Sequence, residues 1–293
     1  MRLPLPTAPR GNCDRFVYDA DMRVAAVQMV SAPDWPANRA AAERLVRQAA
    51  AAGAALVLLP EYFCLIGHRD TDKLTLAEDA GRGLMQAFLA GLAAELGIWL
   101  VAGTLPVRGA AEGRVLNRSI VYASDGREAG HYDKVHLFAF DNGRESYDEG
   151  RVLEAGREPV AVQAGPLPDG RMLRVGLSVC YDLRFPEFYR ALMQPPCDLL
   201  CVPAAFTHTT GEAHWELLLR ARAIENQCYV LAAAQGGTHA NGRRTWGHSM
   251  VVGPWGEILD QLPEGEGFVS AEIEPQRLNA VRTQLPALRH RRF

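Results

Sequence analysis

The stretch S-V-C-Y-D-L-R-F-P-E, residues 178–187, decides how the rest of the chain is read. An apolar run, RVGLSV at 174–179, ends at Cys180, and Pro186 then opens a helix, FPEFYRALMQ at 185–194. Strand, sharp turn and helix in that order hold a side chain proud of a sheet edge, where a nucleophile is useful. A cysteine attacks as its thiolate, and an unassisted thiol has a pKa of about 8.5. The remainder of the chain must therefore supply a base, a positive charge and a pocket.

Outward from that stretch, strand and helix patterns alternate along the whole chain. Toward the N-terminus stand a strand at 23–29, an alanine-rich helix at 38–52 stopped by Gly53, and a buried strand, ALVLLP at 55–60. A helix at 84–97 and strands at 98–104 and 119–124 follow, with Asp125-Gly126 as a hairpin turn into a strand at about 127–132. Toward the C-terminus, CDLLCVPAAF (197–206) and VLAAAQ (230–235) read as buried strands around a helix at 214–229. A hairpin at 248–262 and an alternating strand at 268–274 close the series. With no linker or composition shift, residues 22–293 read as one α/β domain, preceded by an irregular extension at 1–21. Met22 directly before the first strand is a candidate start of translation.

Composition excludes several functions. The net charge of -3, with only the short RHRRF tail basic, argues against a nucleic-acid partner. No apolar run reaches the roughly 18–20 residues of a membrane span, and the N-terminus lacks the apolar core of a secretory signal. A cytoplasmic protein is expected. The six cysteines show neither CxxC nor zinc-ligand spacing, so free thiols are expected, with Cys197 and Cys201 in the core.

Three reactive residues each stand just past a strand: Glu61, Lys134 and Cys180. Strand ends on one edge of a sheet are where α/β proteins gather their sites. A carboxylate can take the thiol proton, and an ammonium can stabilise the thiolate and the oxyanion formed on attack at a carbonyl. That set points to acyl transfer to sulfur followed by hydrolysis. Cys64 lacks the strand–turn–helix setting and is no rival. His136 reads as a structural hydrogen-bonding residue, although a Cys–His hydrolase would use it otherwise. Arg184 reads either as a carboxylate binder or as half of an ion pair, in its own turn or across a subunit interface. Phe206 and Thr207, at a strand end, are candidate pocket residues. Phe138, Phe140 and Tyr147, in the long segment 135–156, are candidates for its wall. His214 and Trp215 would open a helix in a stacked core or interface role, with substrate contact the alternative, and Arg220 and Arg222 on its solvated or interface face.

LLPEYF (58–63), YDKVHLF (132–138) and VCYDLRFPE (179–187), in that order, resemble the signature blocks of the nitrilase, or carbon-nitrogen hydrolase, superfamily. The resemblance runs from Met22 to the end of the chain. It implies a four-layer αββα sandwich, with Glu61 as general base and acid, Lys134 as oxyanion stabiliser and Cys180 as nucleophile. It further implies the Tyr181 amide in the oxyanion hole, no metal or organic cofactor, and at least a homodimer. A second glutamate near the triad is also implied, Glu149 in YDEGRVLEAG (147–156) ahead of Glu145. The segments 211–235, 247–259 and 285–292 are most similar to the branch containing deaminated glutathione amidase, with the ω-amidase branch next. The implied substrate is thus a small anionic linear amide, deaminated glutathione first and α-ketoglutaramate second. N-carbamoyl hydrolysis and a non-catalytic ligand-binding or scaffolding relative are the remaining alternatives.

Overall fold

The computed structural model describes residues 22–167 and 170–292, so the N-terminal extension, Cys13 and Phe293 lie outside the described residues. Two sheets face each other. In the first, Gly267–Ile273, Met22–Gln28, Leu56–Leu58, Trp99–Val101, Val115–Tyr122 and Leu105–Arg108 lie side by side, with Glu128–Asp133 and Leu153–Glu154 also pairing with Val115–Tyr122. In the second the order follows the chain: Val160–Ala164, Leu173–Leu177, Leu199–Ala204, Tyr229–Ala234, Ser249–Val252 and Ile258–Leu262. At the centre of each sheet three strands run parallel.

Parallel strands covered on both faces read as continuous apolar runs, and the side chains divide by parity between two cores. Val24, Ala26, Leu56 and Leu58 point between the sheets, while Ala25, Val27, Val57 and Leu59 meet the helices Trp35–Ala51 and Leu84–Leu96 outside. On the far side, Phe188 and Tyr189 of the helix Pro186–Leu192 and Trp215, Leu219 and Ala223 of the helix His208–Asn226 cover the second sheet. The result is helix, sheet, sheet, helix, the expected four layers. A parallel bridge between Met29 and Gln235 ties the two sheets where their central strands end.

Some boundaries depart from expectation for identifiable reasons. The helix expected at 214–229 begins at His208, because Thr207 caps it by accepting from the Thr210 amide. His214 and Trp215 therefore lie inside the helix, and Trp215 is fully buried with Nε1 donating to His248 O at 2.8 Å. Arg222 is likewise buried rather than solvated: it donates to Leu183 O at 2.7 Å and to Glu225 at 2.9 Å, and stacks over Tyr189. The segment 135–156 contains a small hairpin, Ala139–Asp141 against Ser146–Asp148. The last helix, Pro275–Gln284, buries only Leu278 and Val281 and so leaves little apolar period to read.

Candidate active site

Cys180 sits at the first position of a 3-10 turn, Cys180–Arg184, entered from the extended Val179, and has a positive φ of 49°. A non-glycine residue pays strain for that backbone, which persists only where the surroundings enforce it. Asp182 is the enforcer. Fully buried, its carboxylate accepts from the Val179 amide (2.8 Å), the Tyr132 hydroxyl (2.7 Å), the His136 amide (3.1 Å) and His136 Nδ1 (2.7 Å). His136 has the structural role expected of it, and it stacks on Phe185 at 3.8 Å. One carboxylate thus joins the turn that carries Cys180 to the chain on either side of Lys134.

Glu61 follows the strand Leu56–Leu58 and is fixed at both ends. Its Oε1 accepts from Lys134 Nζ at 2.9 Å and from Asn117 Nδ2 at 2.9 Å, and its Oε2 accepts from the Ala205 amide at 2.9 Å. Gln235 Nε2 holds the Glu61 carbonyl at 3.0 Å. The neighbouring turn needs Gly103, whose φ is +57°, because a Cβ there would stand 2.1 Å from Pro60 O.

Lys134 leaves the strand Glu128–Asp133 and is fully buried. Besides Glu61 it donates to Glu149, at 2.7 Å to Oε2 and 3.0 Å to Oε1. Glu149 also accepts from the Tyr62 hydroxyl at 2.8 Å and the Phe138 amide at 2.7 Å, at the base of the small hairpin. Gly156 must be glycine for the chain to pass Lys134 here, since a Cβ would lie 2.0 Å from Asp133 O. Glu145 stays outside this cluster and accepts from Thr209 Oγ1 at 3.0 Å.

Electrostatics follow from this geometry. Burial first, then the Glu61 carboxylate, push the Cys180 thiol well above its ordinary pKa against the pull of Lys134, which favours the neutral thiol at rest. Burial opposes the charge on Lys134, but Glu149 and then Glu61 overcome it and hold the ammonium more firmly than usual. Burial likewise works against ionised Glu149, and Lys134 overcomes it, holding that carboxyl below its ordinary value. Cys64 is pushed up to about 12 by burial in the outer core, an inert thiol.

Cys180, Glu61 and Glu149 open on one cavity, whose walls include Phe138, Tyr181, Arg184, Phe206 and Thr207. Eight of the residues singled out in the sequence therefore converge on it, and Lys134 is bonded to two of them, Glu61 and Glu149. Phe140 and Tyr147 stand behind Phe138 rather than in the wall, at ring distances of 6.1 and 5.8 Å. Arg184 lies over the rings of Phe206 (5.4 Å) and Tyr181 (5.9 Å) and donates to His214 Nδ1 at 3.2 Å. Among the described residues no carboxylate of this chain pairs with it, so the ion pair expected within its own turn is not formed. Asp182, Asn117 and Arg243 also build the site without a signal of their own in the sequence. Asp182 was at least findable as the acidic residue two past the nucleophile in the same turn.

The chain matches the carbon-nitrogen hydrolase family over residues 23–283. It is 42% identical over 272 residues to the deaminated glutathione amidase of Synechocystis, which covers 92% of this chain and 97% of that protein. Its fold superposes on the NitFhit protein of C. elegans with a TM-score of 0.84 at 38% identity, covering 92% of this chain and 65% of that longer one. Nit3 of Saccharomyces cerevisiae, a member of branch 10 of the nitrilase superfamily, gives 0.82 at 29% identity over 93% and 97% of the two chains. On these grounds the chain belongs to the carbon-nitrogen hydrolase, or nitrilase, superfamily and is an amidase of that superfamily.

Proposed function

We propose that the protein cleaves the amide of deaminated glutathione, giving 2-oxoglutarate and Cys-Gly, through a thioester on Cys180. The observation that carries this reading is a cysteine on the same cavity as a buried Glu61–Lys134 pair, where Arg184 has no anionic partner among the described residues. The name borne by the 42%-identical relative supports the choice of substrate. Glu61 takes the Cys180 proton as sulfur attacks the amide carbon, and the carbonyl π electrons move to oxygen. Lys134 and the Tyr181 amide stabilise that oxyanion. As it collapses, the C–N bond breaks, nitrogen takes the proton from Glu61, and Cys-Gly leaves. Water, deprotonated by Glu61, then attacks the thioester; the C–S bond breaks and the thiol regains its proton. Glu149 keeps Lys134 oriented throughout.

In this reading residues 22–293 work as one domain, in the cytoplasm, as a homodimer. Exposed Leu217 and Ile224 on the helix His208–Asn226, with Trp255 also exposed, support self-association. Among the described residues no helix is long and apolar enough to cross a membrane. The test is Cys-Gly release from deaminated glutathione beside ammonia release from α-ketoglutaramate. A higher kcat/KM on the first is expected, with Cys180→Ala reducing it at least ~10⁴-fold. Faster turnover of α-ketoglutaramate reassigns the protein as an ω-amidase, and CO₂ release from N-carbamoyl compounds alone as a carbamoylase.

A further inference from the structure

A second arginine reaches the same cavity from another part of the chain. Arg243 stands in the segment between the strands Tyr229–Ala234 and Ser249–Val252. Its Nη2 donates to Ala205 O at 2.8 Å, and its guanidinium lies 5.1 Å from the centre of the Tyr147 ring. Its Nε, however, is buried with no hydrogen-bond partner, and among the described residues no carboxylate pairs with it. A guanidinium with donor capacity that the protein leaves unused, at the edge of a catalytic cavity, can give that capacity to a ligand's acceptor.

The position of Arg243 says which part of a ligand that is. It borders both the cavity of Cys180 and an adjoining one, where Tyr62, Lys73 and Asn241 also form the wall. Lys73 lies with Nζ 4.5 Å from the centre of the Tyr62 ring, and it too has no carboxylate partner among the described residues. Ala205 links this corner to the chemistry: its carbonyl accepts from Arg243 while its amide donates to Glu61 Oε2. Glu61 is the group that must hand its proton to the departing nitrogen, so the amine half of the substrate lies toward Glu61. Arg184, by contrast, belongs to the turn that carries Cys180 and so is fixed relative to the sulfur that takes the acyl half.

We propose that Arg243 is the specificity residue for the leaving amine: it binds that amine's carboxylate through a planar two-pronged contact, with Lys73 adding charge in the adjoining cavity. The preferred substrate class is then an amide anionic at both ends, with an amino-acid or short-peptide leaving group rather than ammonia. This rests on the function proposed above and deepens it.

The test compares wild type with Arg243→Gln and Arg243→Lys on three amides of the same 2-oxoglutarate acyl group, whose leaving amines are Cys-Gly, Cys-Gly carboxamide and ammonia. A charge-assisted hydrogen bond is worth roughly 1.5–3 kcal/mol, which corresponds to about a 10- to 150-fold change in binding. In wild type, kcat/KM for the Cys-Gly amide exceeds that for its carboxamide by at least ~10-fold. In Arg243→Gln that gap closes, because KM rises about 10-fold more for the carboxylate substrate than for the other two; Arg243→Lys restores part of it. Product inhibition by free Cys-Gly weakens in parallel, a binding readout that does not depend on turnover. An equal rise in KM on all three amides, or unchanged inhibition by Cys-Gly in a variant that melts like wild type, overturns the assignment of Arg243 and leaves the proposed function standing. Wild-type preference for α-ketoglutaramate removes both.

Discussion

The floor and the rim of the cavity treat charge in opposite ways. On the floor, Lys134 makes three hydrogen bonds, all to carboxylate oxygens of Glu61 and Glu149, and every one of those oxygens has a protein partner. At the rim, Arg184 and Arg243 contact aromatic rings and at most a carbonyl or an imidazole, and pair with no carboxylate among the described residues. Buried ions are tolerable only with partners in good geometry, so the floor is complete before substrate arrives and needs no rearrangement for proton transfer. A cation so paired adds little to the binding of a ground-state carboxylate, although its charge can still act on an oxyanion that forms beside it. The rim is left incomplete, and in the proposed function the difference separates groups that do chemistry from groups that recognise.

Removing the cation at the centre of the floor tests this most severely. Lys134→Met leaves two buried carboxylates facing each other with no positive charge. The folded state should lose about 3–5 kcal/mol, read as a drop in Tm on the order of 10 °C. Activity should fall at least ~10³-fold, since oxyanion stabilisation goes with it. A variant that melts within about 2 °C of wild type would show that the floor is not held by this charge balance.

Glu149 offers a gentler test, with a sign set by pH. Its folded pKa is depressed, so it contributes stability above the unfolded value of about 4.3 that is lost as pH falls through the folded value. Lys134, whose folded pKa is raised, contributes fully below about 10.4 and loses that only as pH rises through its folded value. Glu149→Gln should therefore lower stability at neutral pH by about 1–3 kcal/mol, with kcat down roughly 10²-fold. It should also shallow the acid limb of stability against pH while leaving wild-type and variant curves convergent at low pH. Denaturant melts between pH 3 and 8 read both; parallel curves across that span would mean that Glu149 is not ionised against Lys134.

The same division decided what could be read in advance. Glu61 and Cys180 each follow an apolar run, so an α/β domain and these two residues were legible; Lys134 follows the half-exposed strand Glu128–Asp133, marked by the Asp125-Gly126 turn before it, and the four layers came from resemblance. Glu149 was reached only through resemblance, because its place depends on a hairpin of three-residue strands whose pairing has little apolar signal. Asp182 and Asn117 act by hydrogen bonds across 46 to 56 residues, a relation without local period. Arg243 sits in an irregular segment and matters through an atom that bonds to nothing, which only three-dimensional packing can reveal.

Arg184 gives the smallest expected effect and the most discriminating one. Its ring contacts with Tyr181 and Phe206 are half-exposed and its one polar partner is His214, so the fold draws little from it. Arg184→Gln should melt within about 2 °C of wild type, in contrast to Lys134→Met. If its role is recognition, the substrate loses a charge-assisted contact made equally in ground and transition states, so KM should rise about 10- to 100-fold while kcat changes little. Because Arg184 is fixed to the nucleophile's own turn, that rise should be the same for every amine leaving group and should vanish when the acyl carboxylate is replaced by a neutral amide. A fall in kcat with unchanged KM would instead put Arg184 among the groups acting in the transition state, and would erase the line between floor and rim on that side of the cavity.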